Sequence, residues 1–490
     1  MASSFSDRQY PRFARFIGLG AGTKFFFPLA PAIVLAAGLA IFSSASMAQS
    51  TTAAARTEST VQLVQPVGPG DATPPITITL QDALERARKN DPQFLAAVGD
   101  AKSAHEDRLQ ARNAMLPSVV ESTQCLCSQG NGVTSEGRYV TQDGVHVYRE
   151  WAVIHEDLSA NTYMLTGLHR ADAAEAIAAA KAEIARRGLT VTVTKLYYDV
   201  TSTQRKYATA QQAVDQAKHI LDITGDAERL GQTAHSDVVK AEIQYRQQQQ
   251  AFDETRLTME NARLDLAVLL FPTLNENFTV VDDLDSAAAL PVFQEVQSMA
   301  AKENPDLRVA MQSLRAADLD VSAAKGSFLP ALSIETDYGM EANDFALHAI
   351  WKAHPEDGYL PTVGYFVTAN LTIPVWDWGT LRSKLHQSEF KQQQARAELS
   401  HAQRQMLNNL YSTYNEAAVA REAVESSRHT ADLATESLRL VTLRYQAGES
   451  TALETVDAEN TLIMARNAYD DAQVRYRVAL ANLQTLTGNF

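Results

Sequence analysis

The chain repeats itself once along its length, and this constrains its fold more than any other feature. Asp91-Pro92 opens a stretch that closes at Met115-Leu116-Pro117, and Asn304-Pro305 opens one that closes at Phe328-Leu329-Pro330, 213 residues further on. A second match has an offset of 217: Gly231-Gln232-Thr233 and Asp237 to Ala241-Glu242 align with Gly448-Glu449-Ser450 and Glu454 to Ala458-Glu459. A duplication of this period specifies one supersecondary assembly built twice. The copies cover 76–272 and 291–490, with 273–290 as the linker.

Each copy has the same predicted order of elements. A helix over 80–113 or 292–325 comes first and stops at the Leu-Pro step, because proline disfavours helix in the residue before it. An extended region follows. Then comes a much longer helix, 171–229 or 381–446, which breaks at Gly231 or Gly448, each suited to a left-handed helix end. A last helix runs over 237–270 or 453–486. At 1.5 Å per residue the long helices reach roughly 90–100 Å, and two short ones end to end reach about the same. Each half therefore supplies one continuous rod and one broken rod. In the second long helix Ala417, Ala420, Val424, Ala431, Ala434, Leu438, Val441 and Tyr445 fall on alternating three- and four-residue steps, with Ser427 filling the gap. That is a coiled-coil period with small seam residues.

The extended regions alternate like strands with one apolar and one wet face. Leu332, Ile334, Thr336 and Tyr338 oppose Ser333, Glu335 and Asp337. Val363, Tyr365, Val367, Ala369, Leu371 and Ile373 oppose Gly364, Thr368, Asn370 and Thr372. A polar loop is expected over 339–361. The first half is less regular, with strands expected at 119–126 and 145–154 around a loop at 127–144. The lengths suit a transmembrane barrel. Four strands cannot close one, and open edges are not tolerated in lipid. Three copies would give twelve strands, a workable barrel.

Residues 1–48 read as an export signal that is removed. Arg8, Arg12, Arg15 and Lys24 precede or flank an apolar run over 25–42, Pro28 and Pro31 interrupt that run as an anchor, and Ser46-Met47-Ala48 is a small-x-small cleavage site. A flexible leader is expected over 49–75. Without the signal the chain has 39 basic and 57 acidic residues, a charge of −18, and a nucleic-acid partner is not expected. No phosphate loop or nucleophile elbow appears, so neither an enzyme nor a cofactor is expected. Cys125 and Cys127 point the same way on a strand, where a mutual disulfide would be strained; they read as free thiols. His348, His354, Glu356 and Asp357 have no metal-ligand spacing and read as loop chemistry. Trp376 and Trp378 read either as an interfacial girdle or as packing at a strand–helix corner.

The order of elements resembles the TolC-like outer membrane efflux proteins over about Ile76 to Phe490. Three motifs carry the resemblance. One is the repeated Leu-Pro at Pro117 and Pro330. The second is Leu371-Thr372-Ile373-Pro374-Val375-Trp376-Asp377-Trp378-Gly379, like the family's strand-to-helix turn. The third is Leu443-Arg444-Tyr445-Gln446-Ala447-Gly448 followed by Glu454, Asp457-Ala458-Glu459 and Leu462, like its helical hairpin tip. The resemblance implies a mainly α homotrimer. A helical barrel would hang into the periplasm, and four strands per protomer would complete a twelve-stranded barrel in outer-membrane lipid. It also implies a periplasmic adaptor and an inner-membrane pump as partners, with the trimer as a passive export duct. The alternative is a periplasmic coiled-coil adaptor without a pore.

By the same resemblance the hairpin tips form a periplasmic gate. Tyr445 matches its tyrosine, Glu454 and Asp457 its two acidic positions, and Ser236 and Asp237 the hydroxyl and acid of the first-half tip. Ser450 stands where the best-known gate has a basic residue. Glu454 and Asp457 share a helix face. There they complement the helix dipole; in a trimer they would also form carboxylate rings that favour cations.

Overall fold

The computed structural model describes residues 75–128, 145–231, 233–272, 277–286, 288–342, 348–352, 359–361, 363–447 and 449–488. The expected signal, nearly all of the leader, Gly448, and His354 with Glu356 and Asp357 lie outside the described residues.

In the first repeat, β1 (Ile76–Ile78) leads to α1 (Leu80–Asn90), α2 (Pro92–Asn113), β2 (Ser118–Ser128), β3 (Val145–Asp157), α3 (Ala160–Tyr163), α4 (Thr166–Arg229) and α5 (His235–Leu270). In the second, β4 (Phe278–Val280) leads to α6 (Phe293–Glu303), α7 (Pro305–Gly326), β5 (Ala331–Ala342), β6 (His348–Lys352), β7 (Tyr359–Pro361), β8 (Val363–Thr372), α8 (Thr380–Gln446) and α9 (Ala452–Thr487).

The single helix expected at the start of each repeat is two helices. The residue before the proline is extended, Asp91 at φ −70°, ψ 116° and Asn304 at φ −68°, ψ 119°, as a following proline requires. Each side chain then caps a new helix: Asp91 accepts from the Phe94 N–H at 3.0 Å and Asn304 from the Leu307 N–H at 2.9 Å. Proline occupies the first helical position, where no donor is lost. The Leu-Pro steps end α2 and α7 as expected, with Pro117 and Pro330 directly before β2 and β5. The loop expected over 339–361 is partly strand, since β5 continues to Ala342 and β6 pairs with β7.

The rods pack side by side. Towards the tips the lateral order is α5, α4, α9, α8; at the other end it is α2, α4, α7, α8. So α4 and α8 are the continuous rods, of 64 and 67 residues, and α2 with α5 and α7 with α9 are the broken ones. The α8–α9 seam is made of the predicted small residues: Ala417 and Ala420 pack with Tyr476, Ala479 and Leu480, and Ala434 with Leu462 and Ala465.

Four antiparallel strands form one sheet in the order β2-β3-β5-β8, so the two repeats join at β3–β5. Register places Leu332 opposite Leu371, Thr336 opposite Val367 and Ile154, and Tyr338 opposite Tyr365, all on one face. Tyr338, Tyr365, Val367 and Leu371 are 59–77% exposed, a continuous apolar surface with no cover in the protomer. The other face carries Glu335, His155, Asp337 and the Arg149–Glu341 ion pair at 2.8 Å. The first strand pair is mixed, with Glu121 and Glu150 on the apolar side. Among the described residues no helix is long and apolar enough to cross a membrane.

The duplication reaches the backbone conformation at the strand-to-helix returns. Leu165 and Trp378, 213 residues apart, both sit in the left-handed region, at φ 54° and φ 57°. Gly379 follows at φ 85°, and the Asp377 carboxylate accepts from the Gly379 and Leu381 N–H groups at 2.9 and 2.6 Å. Trp376 and Trp378 stack edge to face at this corner, 74% and 88% exposed.

A waist formed by β1, β4 and the linker ties the halves together. β1 and β4 pair in parallel, and the Tyr197 hydroxyl is shared between the carbonyls of Ile78 and Val281 at 3.2 and 2.7 Å. The linker continues over the α4–α9 junction. There the Arg205 guanidinium donates to Asp282, Asp285 and Asp470 at 2.6, 2.8 and 3.2 Å, and to Gln473 at 3.2 Å. Lys206 meets Asp471 at 2.5 Å. Arg477 donates to the Asp283 carbonyl, and the Tyr476 hydroxyl to that of Ala288 at 2.9 Å.

Candidate gate at the hairpin tips

The α4–α5 tip is set by backbone geometry. Leu230 and Gly231 close the helix with N–H bonds to the carbonyls of Asp226 and Glu228, and Gly231 takes φ 70°. Nothing lies within 4 Å of where its Cβ would be. Gly231→Ala therefore meets backbone strain alone, and the expected cost is about 1–2 kcal/mol. Chemical denaturation of the assembled protein measures it; a neutral alanine would show that the tip tolerates another turn.

The α8–α9 tip closes similarly, with the Glu449 N–H on the Arg444 carbonyl at 2.9 Å. Thr451 caps α9, its hydroxyl accepting from the Glu454 N–H at 3.3 Å. The Glu454 carboxylate accepts from the Ser450 hydroxyl at 2.7 Å and lies 3.9 Å from the Arg444 guanidinium. Glu454 is thus held within its own hairpin. Its position in the first turn, facing the exposed N–H groups, also suits a carboxylate.

Between the two tips lies a cavity of about 780 Å³. Ile220, Ile223, Thr224 and Ala227 of α4, Asp237 and Lys240 of α5, Tyr445 of α8, and Leu453 and Val456 of α9 contribute to its wall. The Asp237 carboxylate accepts from the Thr233 hydroxyl at 3.1 Å and pairs with Lys240 at 3.4 Å. The structure therefore brings Tyr445 and Asp237 to one cavity. Ser236, Glu454 and Asp457 do not line it; they are exposed on the tip surface. The apolar wall could not be read from any single motif, since its residues come from four helices. Lys240 follows Asp237 by three, a helical spacing that was open to inspection in the sequence.

Both lateral edges of the protomer are open. The sheet ends in β2 on one side and β8 on the other, and the helical layer ends in α2/α5 and in α8. Two different edges can pair with each other only head to tail, a contact that generates a ring where its rotation closes. A closed ring would leave no strand edge in lipid.

Comparison with known proteins agrees with this geometry. Residues 296–489 match the family model described as outer membrane efflux protein. The outer membrane protein OprJ of Pseudomonas aeruginosa is 22% identical over 315 residues, which span 62% of this chain and 61% of OprJ. The outer membrane protein TolC of Vibrio cholerae is 21% identical over 416 residues, covering 84% of this chain and 90% of that protein. Among solved structures, the open-state outer membrane channel MtrE of Neisseria gonorrhoeae superposes with a TM-score of 0.70 at 21% identity, covering 84% of this chain and 89% of that one.

Proposed function

We propose that this chain, a member of the outer membrane efflux protein family, forms a trimeric outer-membrane channel and serves as the export duct of a tripartite efflux or secretion system. The family is one of channels rather than enzymes. Three copies supply twelve strands and twelve helical rods, which extend about 100 Å into the periplasm. An inner-membrane pump and a periplasmic adaptor supply energy and docking; the duct itself needs no catalytic group. The removal of residues 1–48 on export belongs to the same reading.

The observation that carries it is the exposed apolar face of β5 and β8, on a sheet whose two edges are both unpaired. A coiled-coil adaptor without a pore has no use for such a face. The wet face, with Arg149, Glu335, Asp337 and Glu341, then lines the lumen.

Single-channel recording on the purified, processed protein in a planar bilayer tests the proposal. Discrete conductance steps are expected. A protein that stays soluble without detergent and never conducts would overturn the channel in favour of the adaptor.

At the periplasmic end, Glu454 and Asp457 become rings of three exposed carboxylates each, which favour cations. Glu454→Ala combined with Asp457→Ala is expected to lower the cation-to-anion permeability ratio by several-fold. Reversal potentials in a salt gradient measure this. An unchanged ratio would leave both residues with a capping role alone.

A further inference from the structure

Towards the tips the protomer ends laterally in α5 on one side and α8 on the other, continuing the two edges that carry β2 and β8 in the sheet. Helix α5 packs on α4, where Phe252 meets Tyr207 and Ala241 is buried. Helix α8 packs on α9 through Ala434 and Leu438. The side of each helix turned away from that neighbour carries a second stripe of coiled-coil period. On α5 it is Val239, Ile243, Arg246, Gln250, Asp253 and Leu257; on α8 it is Ser426, His429, Leu433, Glu436, Leu440 and Leu443. All twelve are exposed.

The α5 stripe is indented by two clefts. One, of about 330 Å³, lies among Val239, Glu242, Ile243 and Arg246; the next, of about 450 Å³, among Arg246, Gln249, Gln250 and Asp253. Each set is spaced i, i+3, i+4, i+7, the four-residue hole that receives one knob in a coiled coil. The two holes follow one another by seven residues. So do Leu433 and Leu440 on α8, which are 58% and 48% exposed.

Heights along the rods match these knobs to these holes. Gln244 and Gln248 of α5 both donate to Asn460 of α9, at 3.4 and 3.0 Å, which sets Asn460 level with residue 246. Ala434 of α8 packs with Leu462 and Ala465, so on the antiparallel α8 the residues level with Asn460 are about 436 to 438. Rotation about the axis of a ring preserves height. Residue 246 of one copy therefore meets residues near 436 of the next.

Charge selects the same register independently. Sliding two rods by whole heptads leaves the same faces in contact, so only the side chains can discriminate. In the level register Arg246 comes opposite Glu436 and Asp253 opposite His429, with Ile243 on Leu440 and Val239 on Leu443. A slip of one heptad one way sets Glu436 against Asp253 and Leu443 against Arg246. The opposite slip sets Glu422 against Asp253 and His429 against Arg246. The level register leaves one like-charge pair, Glu422 with Glu260, and Arg256 lies 4.0 Å from Glu260.

We propose that α8 of the next copy covers the exposed face of α5, Leu440 and Leu433 filling the two holes and Arg246 pairing with that copy's Glu436. This interface rests on the trimer proposed above and fixes its register. The apolar layers supply the burial, and the charges exclude the slipped alternatives.

Oxidative cross-linking of the full-length protein in membranes tests this, with Cys125 and Cys127 replaced by serine. Ile243→Cys combined with Leu440→Cys is expected to give covalent dimers and trimers, because level positions on facing stripes come within the roughly 7 Å Cα limit of a disulfide. Gln250→Cys with Leu440→Cys, one heptad out, is expected to give at least about tenfold less. The charges are read separately. Arg246→Glu is expected to lower the heat resistance of the trimer in semi-native electrophoresis, and adding Glu436→Arg to restore it. The interface is overturned if trimers form but the level pair stays unlinked, if the shifted pair links as well, or if the second charge reversal restores nothing. A wild-type protein that never leaves the monomer would overturn the trimer itself, and this interface with it.

Discussion

Gly339→Val is expected to abolish assembly of the trimer. Gly339 lies in β5 opposite Trp151 of β3, at the seam where the two repeats join within the four-stranded sheet. A Cβ there would sit 1.8 Å from the Glu150 carbonyl oxygen, 2.8 Å from its carbon and 2.9 Å from the Trp151 Cα. All three are backbone atoms, so no side-chain rotation relieves the clash. The strands must part, and a sheet split between β3 and β5 presents two new edges to lipid, each with unpaired polar groups worth several kcal/mol. Beside this pair the Trp151 ring packs edge to face on Phe366 with centroids 5.2 Å apart. Semi-native electrophoresis of membrane extracts, before and after heating, reads the trimer directly. Even Gly339→Ala is expected to remove it; an alanine variant that assembles at wild-type level would show that β3 can shift at little cost.

Arg205→Ala is expected to destabilise the folded protein by about 3–5 kcal/mol, the usual penalty for orphaning a buried partner charge. The side chain of Asp470 is only 9% exposed, and it would lose its guanidinium, as would Asp282 and Asp285. Burial already holds the Asp470 carboxyl above its usual range, opposed chiefly by Arg205 and also by Lys206. Arg205→Lys keeps the charge but cannot reach three carboxylates and Gln473 as a planar fork does, so an intermediate loss is expected. Denaturation midpoints measure the loss. Limited proteolysis locates it, because the linker is held to α4 at Asp282 and Asp285 through this group. Cleavage there should accelerate in Arg205→Ala. A midpoint equal to wild type would mean that Tyr197, Tyr476 and Arg477 hold the linker without it.

These two sites differ in how far they could be foreseen. The linker acids and Arg205 are plain in the sequence, yet nothing local links a residue at 205 to carboxylates at 282, 285 and 470. Gly339 ends a clean strand pattern and reads as a turn; only register against β3 shows it to be a close approach of two backbones. The same holds at the tips. Gly231 was legible because a left-handed helix end has a residue signature. The cavity was not, because its walls come from four helices far apart in the chain. The break at Asp91 and Asn304 was written in the sequence as a cap followed by proline, a local signal that restarts a helix without a loop.

The sequence by itself determined the long rods, the four main strands and their order, though not the break between α1 and α2 or between α6 and α7, nor the short strands β1, β4, β6 and β7. The 213-residue repeat, the coiled-coil steps and the period-two strands are local patterns, fixed by helical and pleated geometry and by which face must leave water. The tertiary structure alone decided the rest. It set which edges stay open, which face of the sheet is uninterrupted, where the linker is fastened, and which carboxyl lies in a seam and which on a surface. Those outcomes depend on distances between residues tens to hundreds of positions apart, and burial and pairing exist only once the rods and strands have been laid side by side.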